Sequence, residues 1–225
     1  MNRPDNRLLL ARRQIVAALG GATLLAIARP ADAQGGARPS PAQMLGPFYP
    51  RNAGERPRST DADLLVVEGE RVLTRGTPIF LLGHVVDREL RPVPGAAVEI
   101  WQCDAMSVYH HPAGGAESER DPNFQGYGVD RTDGSGTFRF RTILPVAYPG
   151  RTPHIHVRIQ PQRGSGLATQ LYLPDAPGNA RDFLFSRLSP DEQKALLLSL
   201  EPNRDAAQPL AQSTRLTAST QLVLS

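Results

Sequence analysis

Five short runs rich in β-branched and aromatic residues constrain this chain most: Pro78 to Asp87, Ala96 to Gln102, Gly136 to Ile143, His154 to Gln160 and Ala168 to Leu173. Each is bounded by Gly, Pro or Asp, and runs of this length at this spacing read as strands of an antiparallel β-sandwich or barrel. The turn chemistry is explicit at Asp87 to Gly95, with its two prolines, and at Asp133-Gly134-Ser135-Gly136. Both read as hairpin-like connections. A single helix is well signalled: Ser189 as N-cap, Pro190 at the first helical position and Glu192 as the capping glutamate, leading into Ala195 to Leu200. The expectation is an all-β chain, a single antiparallel β-sandwich domain over residues 45–225 with one short C-terminal helix.

The first 33 residues read differently. Arginines at 3, 7, 12 and 13 precede an apolar run from Ile15 to Ile27, and Ala31-Asp32-Ala33 supplies small residues of a cleavage site. The run of 13 residues is short against the roughly 20 needed to span a bilayer, so a stable membrane anchor is not expected. Arg12-Arg13 resembles a twin-arginine signal, although Ala11 stands where Ser or Thr is usual. A cleaved export signal over 1–33, a flexible Gly/Pro/Ser/Ala leader over 34–44 and a periplasmic or secreted destination follow.

Charge is then informative. Without the five arginines and two aspartates of the signal, the chain's 25 basic and 22 acidic residues become 20 of each. A neutral mature domain removes the electrostatic argument for a nucleic-acid partner. Cys103 is the only cysteine, so no internal disulfide forms, and its setting reads as a packing thiol rather than a nucleophile.

The strongest local chemical signal is Pro153-His154-Ile155-His156-Val157-Arg158-Ile159. At the strand period His154 and His156 share one face while Ile155, Val157 and Ile159 face the core, which suits a chelating pair. Spacing alone leaves the remaining ligands open. Three other histidines exist: His84, mid-strand in an apolar run, reads as a satisfied core residue, and His110 and His111 precede Pro112 in a loop. A zinc hydrolase built on His154, His156 and one of the latter two is one alternative.

A wider pattern bears on the choice. The segments Gly83-His84-Val85-Val86-Asp87, Pro92-Val93-Pro94-Gly95-Ala96, Val98-Glu99-Ile100-Trp101-Gln102, Asp121 through Gly128, Phe140-Arg141-Thr142-Ile143 and Tyr148-Pro149 with Arg151-Thr152-Pro153-His154-Ile155-His156 occur in order. Together they resemble the intradiol ring-cleavage dioxygenases, above all the protocatechuate 3,4-dioxygenase branch. The resemblance implies a non-haem Fe(3+) cofactor held by Tyr109, Tyr148, His154 and His156, with anionic phenolates suited to a hard, Lewis-acidic ion. It further implies a small aromatic diol and O₂ as reactants, Tyr148 as a base for the diol protons and a muconate-type diacid as product. Arg151 matches an arginine that stabilises charge on the substrate, Gln170 a supporting polar residue, and Gly46-Pro47-Phe48-Tyr49 resembles a stretch that lines the substrate pocket, with Gly46 and Pro47 as its substrate-binding residues.

Two departures stand out: Gly150 replaces the tryptophan that commonly follows the Tyr-Pro pair, and the span from Tyr148 to His154 is shorter by several residues, which together imply a wider or differently shaped pocket. The non-catalytic alternative is an exported transthyretin-like binding module, which shares the sandwich pattern but has no use for the tyrosines. Neither reading fixes the diol's substituents or excludes a homo-oligomer.

Overall fold

A computed structural model describes residues 36–57, 60–67, 74–203, 214 and 216–225. The export signal expected over 1–33 lies outside the described residues. The chain forms β1 (Pro78–Val86), β2 (Ala97–Trp101), β3 (Tyr127–Arg131), β4 (Thr137–Ile143), β5 (His154–Gln160), β6 (Leu167–Tyr172), the helix α1 (Pro190–Leu196), β7 (Ser199–Pro202) and β8 (Leu216–Val223). The five expected strands are present to within a residue or two. They belong to two four-stranded sheets, ordered β4-β1-β8-β7 and β3-β2-β5-β6.

Pairing is antiparallel except where β8 runs parallel to β1, which corrects the expectation of a purely antiparallel arrangement. A parallel neighbour requires a long crossover, and here more than half of the chain intervenes between the two strands. Neither well-written turn closes a hairpin. Asp87 to Gly95 carries the chain from β1 to β2, and Asp133 to Gly136 from β3 to β4, and in both cases the strands lie in different sheets. Turn chemistry fixes the local reversal, but the partner of each strand is set by which apolar face it must bury.

Alternation decides the inner faces. Ile79, Leu81 and Val85 of β1, Phe138 and Phe140 of β4 and Ala218 and Leu222 of β8 are buried in one cluster with Val98, Ile100, Ile155, Val157, Ile159 and Leu171 of the second sheet. Gly83 pairs with Phe138 on β4, and a Cβ there would sit 2.0 Å from the Phe138 ring. The glycine gives the aromatic its seat. His84, expected in the core, faces outward and its Nδ1 lies 3.0 Å from Thr137 Oγ1.

The helix starts as expected: Ser189 and Glu192 form a reciprocal capping box and Pro190 occupies the first turn. It ends at Leu196 rather than Leu200, because Ser199–Pro202 joins the first sheet beside β8. Among the described residues no helix is long and apolar enough to cross a membrane.

The flexible leader expected over 34–44 is corrected for the residues described. Ser40 exchanges hydrogen bonds with Val223 through its backbone N–H and its Oγ, Gln43 N–H donates to Ala168 O, and Pro41 O accepts from Thr169 Oγ1. Composition reported too little apolar surface to pack, yet the open edge of β6 supplies backbone partners that composition does not register. Ser40 is thereby tied to β8 of the first sheet and residues 41–43 to β6 of the second, and the chain delivers residues 44–48 to the face of the second sheet that carries the histidines.

Candidate metal centre

The outer face of the second sheet is built from alternate residues of three strands. In the register His156 stands between Trp101 on β2 and Gln170 on β6, and His154 stands opposite Tyr172. Both imidazoles are buried, and their Nε2 atoms are 3.3 Å apart. His154 Nδ1 lies 2.6 Å from Thr152 O. A carbonyl only accepts, so Nδ1 carries the proton and Nε2 presents its lone pair. Burial, reinforced by Arg151, pushes His154 down to about 4, and burial with His154 and Arg151 holds His156 well below its usual value. Both rings are therefore neutral near pH 7. Trp101 stacks on His156, with centroids 4.7 Å apart and planes 8° from parallel. On the other side Gly46, at φ +76°, leaves 3.4 Å between His156 Cε1 and the place of a Cβ.

Tyr109 comes from the loop after β2. Asp104 organises that loop by accepting from the backbone N–H groups of Met106 and Val108, and Ser107 anchors it to Ala147 O. Phe48 stacks on the Tyr109 ring at 4.2 Å. The Tyr109 hydroxyl is buried and has no hydrogen-bond partner. Burial, with Tyr148 and Cys103 adding, pushes this phenol far above its ordinary range. A buried, unpartnered hydroxyl of this kind is costly unless a ligand takes it.

Tyr148 is placed by a turn. Arg151 N–H donates to Tyr148 O at 2.9 Å, with Pro149 and a Gly150 at φ +81° between them, as a type II turn requires. The turn sets Arg151 Nη1 3.3 Å from Tyr148 Oη and 3.5 Å from His154 Nε2. The rings of Tyr109 and Tyr148 are 5.4 Å apart, and those of Tyr148 and His154 5.5 Å. Two phenols and two imidazoles from three separate stretches thus surround one point. A cavity of about 450 Å³ opens onto it, lined by Tyr148 and His156 of the four and by Gly46, Pro47, Arg151 and Gln170. A larger recess of about 670 Å³ lies against the first sheet by Phe80, Leu82 and Arg141, and none of the four donors lines it.

A family model described as "Dioxygenase" matches residues 45–216. The chain belongs to the intradiol ring-cleavage dioxygenase family. It is 38% identical over 132 residues to the protocatechuate 3,4-dioxygenase beta chain of Burkholderia cepacia, a match covering 55% of this chain and 56% of that one. It is 26% identical over 161 residues to catechol 1,2-dioxygenase of Candida albicans, covering 64% and 50% respectively. The chain spans about half the length of the curated relatives it matches. Among solved structures, the dioxygenase domain of a dioxygenase carbohydrate-binding protein fusion from Streptomyces sp. SirexAA-E is 30% identical with a TM-score of 0.60, covering 83% of this chain and 98% of that one.

The structure brings Tyr109, Tyr148, His154 and His156 together, and Gly46, Pro47, Arg151 and Gln170 line the cavity beside them. The alternative third ligands are not among them: His110 faces Asp104 Oδ2 at 3.4 Å, and His111 lies 3.5 Å from Glu55 Oε2. Among the described residues no group of three or more His, Cys, Asp or Glu is placed to hold a metal ion. Cys103 is buried, and burial with the nearby Asp104 charge pushes its thiol up to about 12, the state of a packing residue.

Asp182 escaped sequence reasoning. It is buried, and its Oδ2 accepts from Arg151 Nε at 2.8 Å and from Thr152 N–H at 3.0 Å. Arg151 Nη2 donates to Gln170 Oε1, so the guanidinium is fixed at each of its three nitrogens. Asp182 lies in an irregular stretch with no motif around it, and pairing to an arginine 31 positions away leaves no mark in local sequence. Trp101 and Phe48 stood within segments shared with the family, but their stacking on His156 and Tyr109 was not legible.

Proposed function

We propose that this chain is a non-haem ferric intradiol dioxygenase that opens a catechol-type diol between its two hydroxyl-bearing carbons, giving a muconate-type diacid. The observation that carries the reading is the meeting of Tyr109, Tyr148, His154 and His156 around one point, with the Tyr109 hydroxyl buried and unpartnered. Two phenols and two neutral imidazoles suit a hard trivalent cation, and loss of the phenol protons offsets two of its three charges. Ferric iron bound there supplies Lewis acidity and makes a chelated diol reactive toward O₂.

The protein's own part follows from placement. Tyr109 and His154 lie behind the cavity and act as fixed supports. Tyr148 borders the cavity and is half-buried, so its Oη is suited to give way to substrate and take a diol proton. Arg151 stays charged beside Tyr148 Oη and stabilises negative charge that develops on the substrate. Gln170 holds the guanidinium through Oε1, while its Nε2 is buried without a partner in the cavity wall, a donor free for the reacting oxygens. The two sheets, sharing one apolar core, support the reading of the scaffold as a β-sandwich.

Export belongs to the same proposal, supported by Arg12-Arg13, the apolar run and Ala31-Asp32-Ala33. The test of function is optical and catalytic. Protein supplied with ferric iron is expected to show a visible tyrosinate-to-iron charge-transfer band and to consume O₂ with catechol. A colourless protein with iron supplied and no oxygen uptake refutes the proposal.

A further inference from the structure

The cavity over the centre has a polar floor and an apolar mouth. His156 and Gln170 at its inner end are buried, whereas Met44 and Phe183 are 56% and 47% exposed. Among the described residues only three large hydrophobic side chains are exposed, and two of them line this one cavity. Exposed apolar side chains gathered at the rim of a binding cleft mark a surface that a ligand covers.

Gly150 lines the same cavity without a side chain. Gly150 is held at φ +81° by the turn that positions Tyr148 and Arg151, and nothing lies within 4 Å of where its Cβ would be. The glycine is demanded by the turn, since an L side chain there is strained, so the opening is built into the placement of the two active groups.

Charge argues in the same direction. Arg151 is the only charged residue lining the cavity among those described, and its side chain is only 8% exposed. Its nitrogens are committed to Asp182, Tyr148 and Gln170. A carboxylate on the far side of the diol ring would meet no cation at the mouth, whereas an apolar group would cover Met44 and Phe183.

We propose that the substrate is a catechol bearing a neutral, apolar substituent of aryl or branched-alkyl size, which passes Gly150 and rests on Met44 and Phe183. This specifies the substrate class of the dioxygenase reading and rests on it.

The test uses the iron-loaded full chain with catechol, 4-phenylcatechol, 4-tert-butylcatechol and protocatechuate. Calorimetric titration without oxygen gives affinities, and oxygen uptake gives kcat/KM. 4-Phenylcatechol is expected to bind at least about tenfold more tightly than protocatechuate, the scale at which apolar complementarity and an unpaired charge discriminate. Met44→Lys places a cation at the mouth and is expected to shift the ratio about tenfold toward protocatechuate. Phe183→Ala is expected to lower the preference for 4-phenylcatechol over catechol, with unchanged melting temperature showing that both variants fold. Protocatechuate bound as tightly as 4-phenylcatechol, or ratios unmoved in both variants, overturns the inference while leaving the dioxygenase reading in place. Failure of all four compounds to bind or react overturns the dioxygenase reading itself.

Discussion

Replacing Asp182 with Asn tests the support of the site most sharply, because it changes one charge and almost no volume. Each carboxylate oxygen takes two donors: Oδ2 from Arg151 Nε and Thr152 N–H, and Oδ1 from the N–H groups of Leu184 and Phe185 at 3.0 Å each. An amide keeps one oxygen, so two donors lose their acceptor and meet an NH₂ group instead. A hydrogen bond to a charged group contributes about 1.5–3 kcal/mol and a backbone one about 1 kcal/mol. The sum, about 2.5–4 kcal/mol, overlaps the cost of breaking a buried ion pair. For a chain of this size that lowers Tm by about 10 °C, read by scanning calorimetry at pH 7.

The pH dependence supplies a second readout. Burial alone would raise Asp182, but the bonds from Arg151, Phe185 and Thr152 outweigh it and hold the carboxyl below its usual value. A depressed carboxyl contributes stability above the unfolded value, near 4, and loses it as pH falls through the folded value. The gap between Asp182→Asn and the parent is therefore expected to narrow below about pH 4. In turnover, a loosened Arg151 is expected to lower kcat about 10- to 100-fold with KM less affected. A stability loss under about 1 kcal/mol at pH 7, or a gap that stays constant down to pH 3, refutes the role assigned to this carboxylate.

Tyr148→Phe is expected to weaken and shift the visible band of the iron-loaded protein and to lower kcat at least about a hundredfold, measured by absorption and oxygen uptake. Cys103, with its thiol pushed up to about 12 by burial, is expected to resist a thiol reagent at pH 8 in the folded protein and to react fully in denaturant. Gly83→Ala drives a Cβ into the Phe138 ring and is expected to cost about 2–3 kcal/mol in urea unfolding, with no direct effect on the centre 's colour. N-terminal sequencing of protein recovered from the cell exterior or periplasm is expected to begin at Gln34, and an intact Met1 there contradicts cleavage.

What the linear sequence determined were local properties. Period-two alternation in His154 to Ile159 set both histidines on one face and the apolar residues on the other, and Ser189-Pro190-Asp191-Glu192 fixed a helix start. The segments shared with the family were enough to single out the two tyrosines. Strand β8 was not legible, because Leu216–Val223 carries Thr, Ser and Gln at outward positions and becomes a strand by lying between β1 and β7. The hairpin reading of both turns failed for the same reason: a turn specifies a reversal, whereas a strand's neighbours depend on burial summed over the whole sheet.

Only the tertiary structure brought Asp182 under Arg151, laid residues 41–43 along the edge of β6, and gathered Met44 and Phe183 at the mouth of one cavity. These are contacts between residues distant in the chain, so no local propensity encodes them. The donor types were written in the sequence, but their meeting at a point follows from the loop after β2 and the Tyr148 turn being held over the outer face of the second sheet.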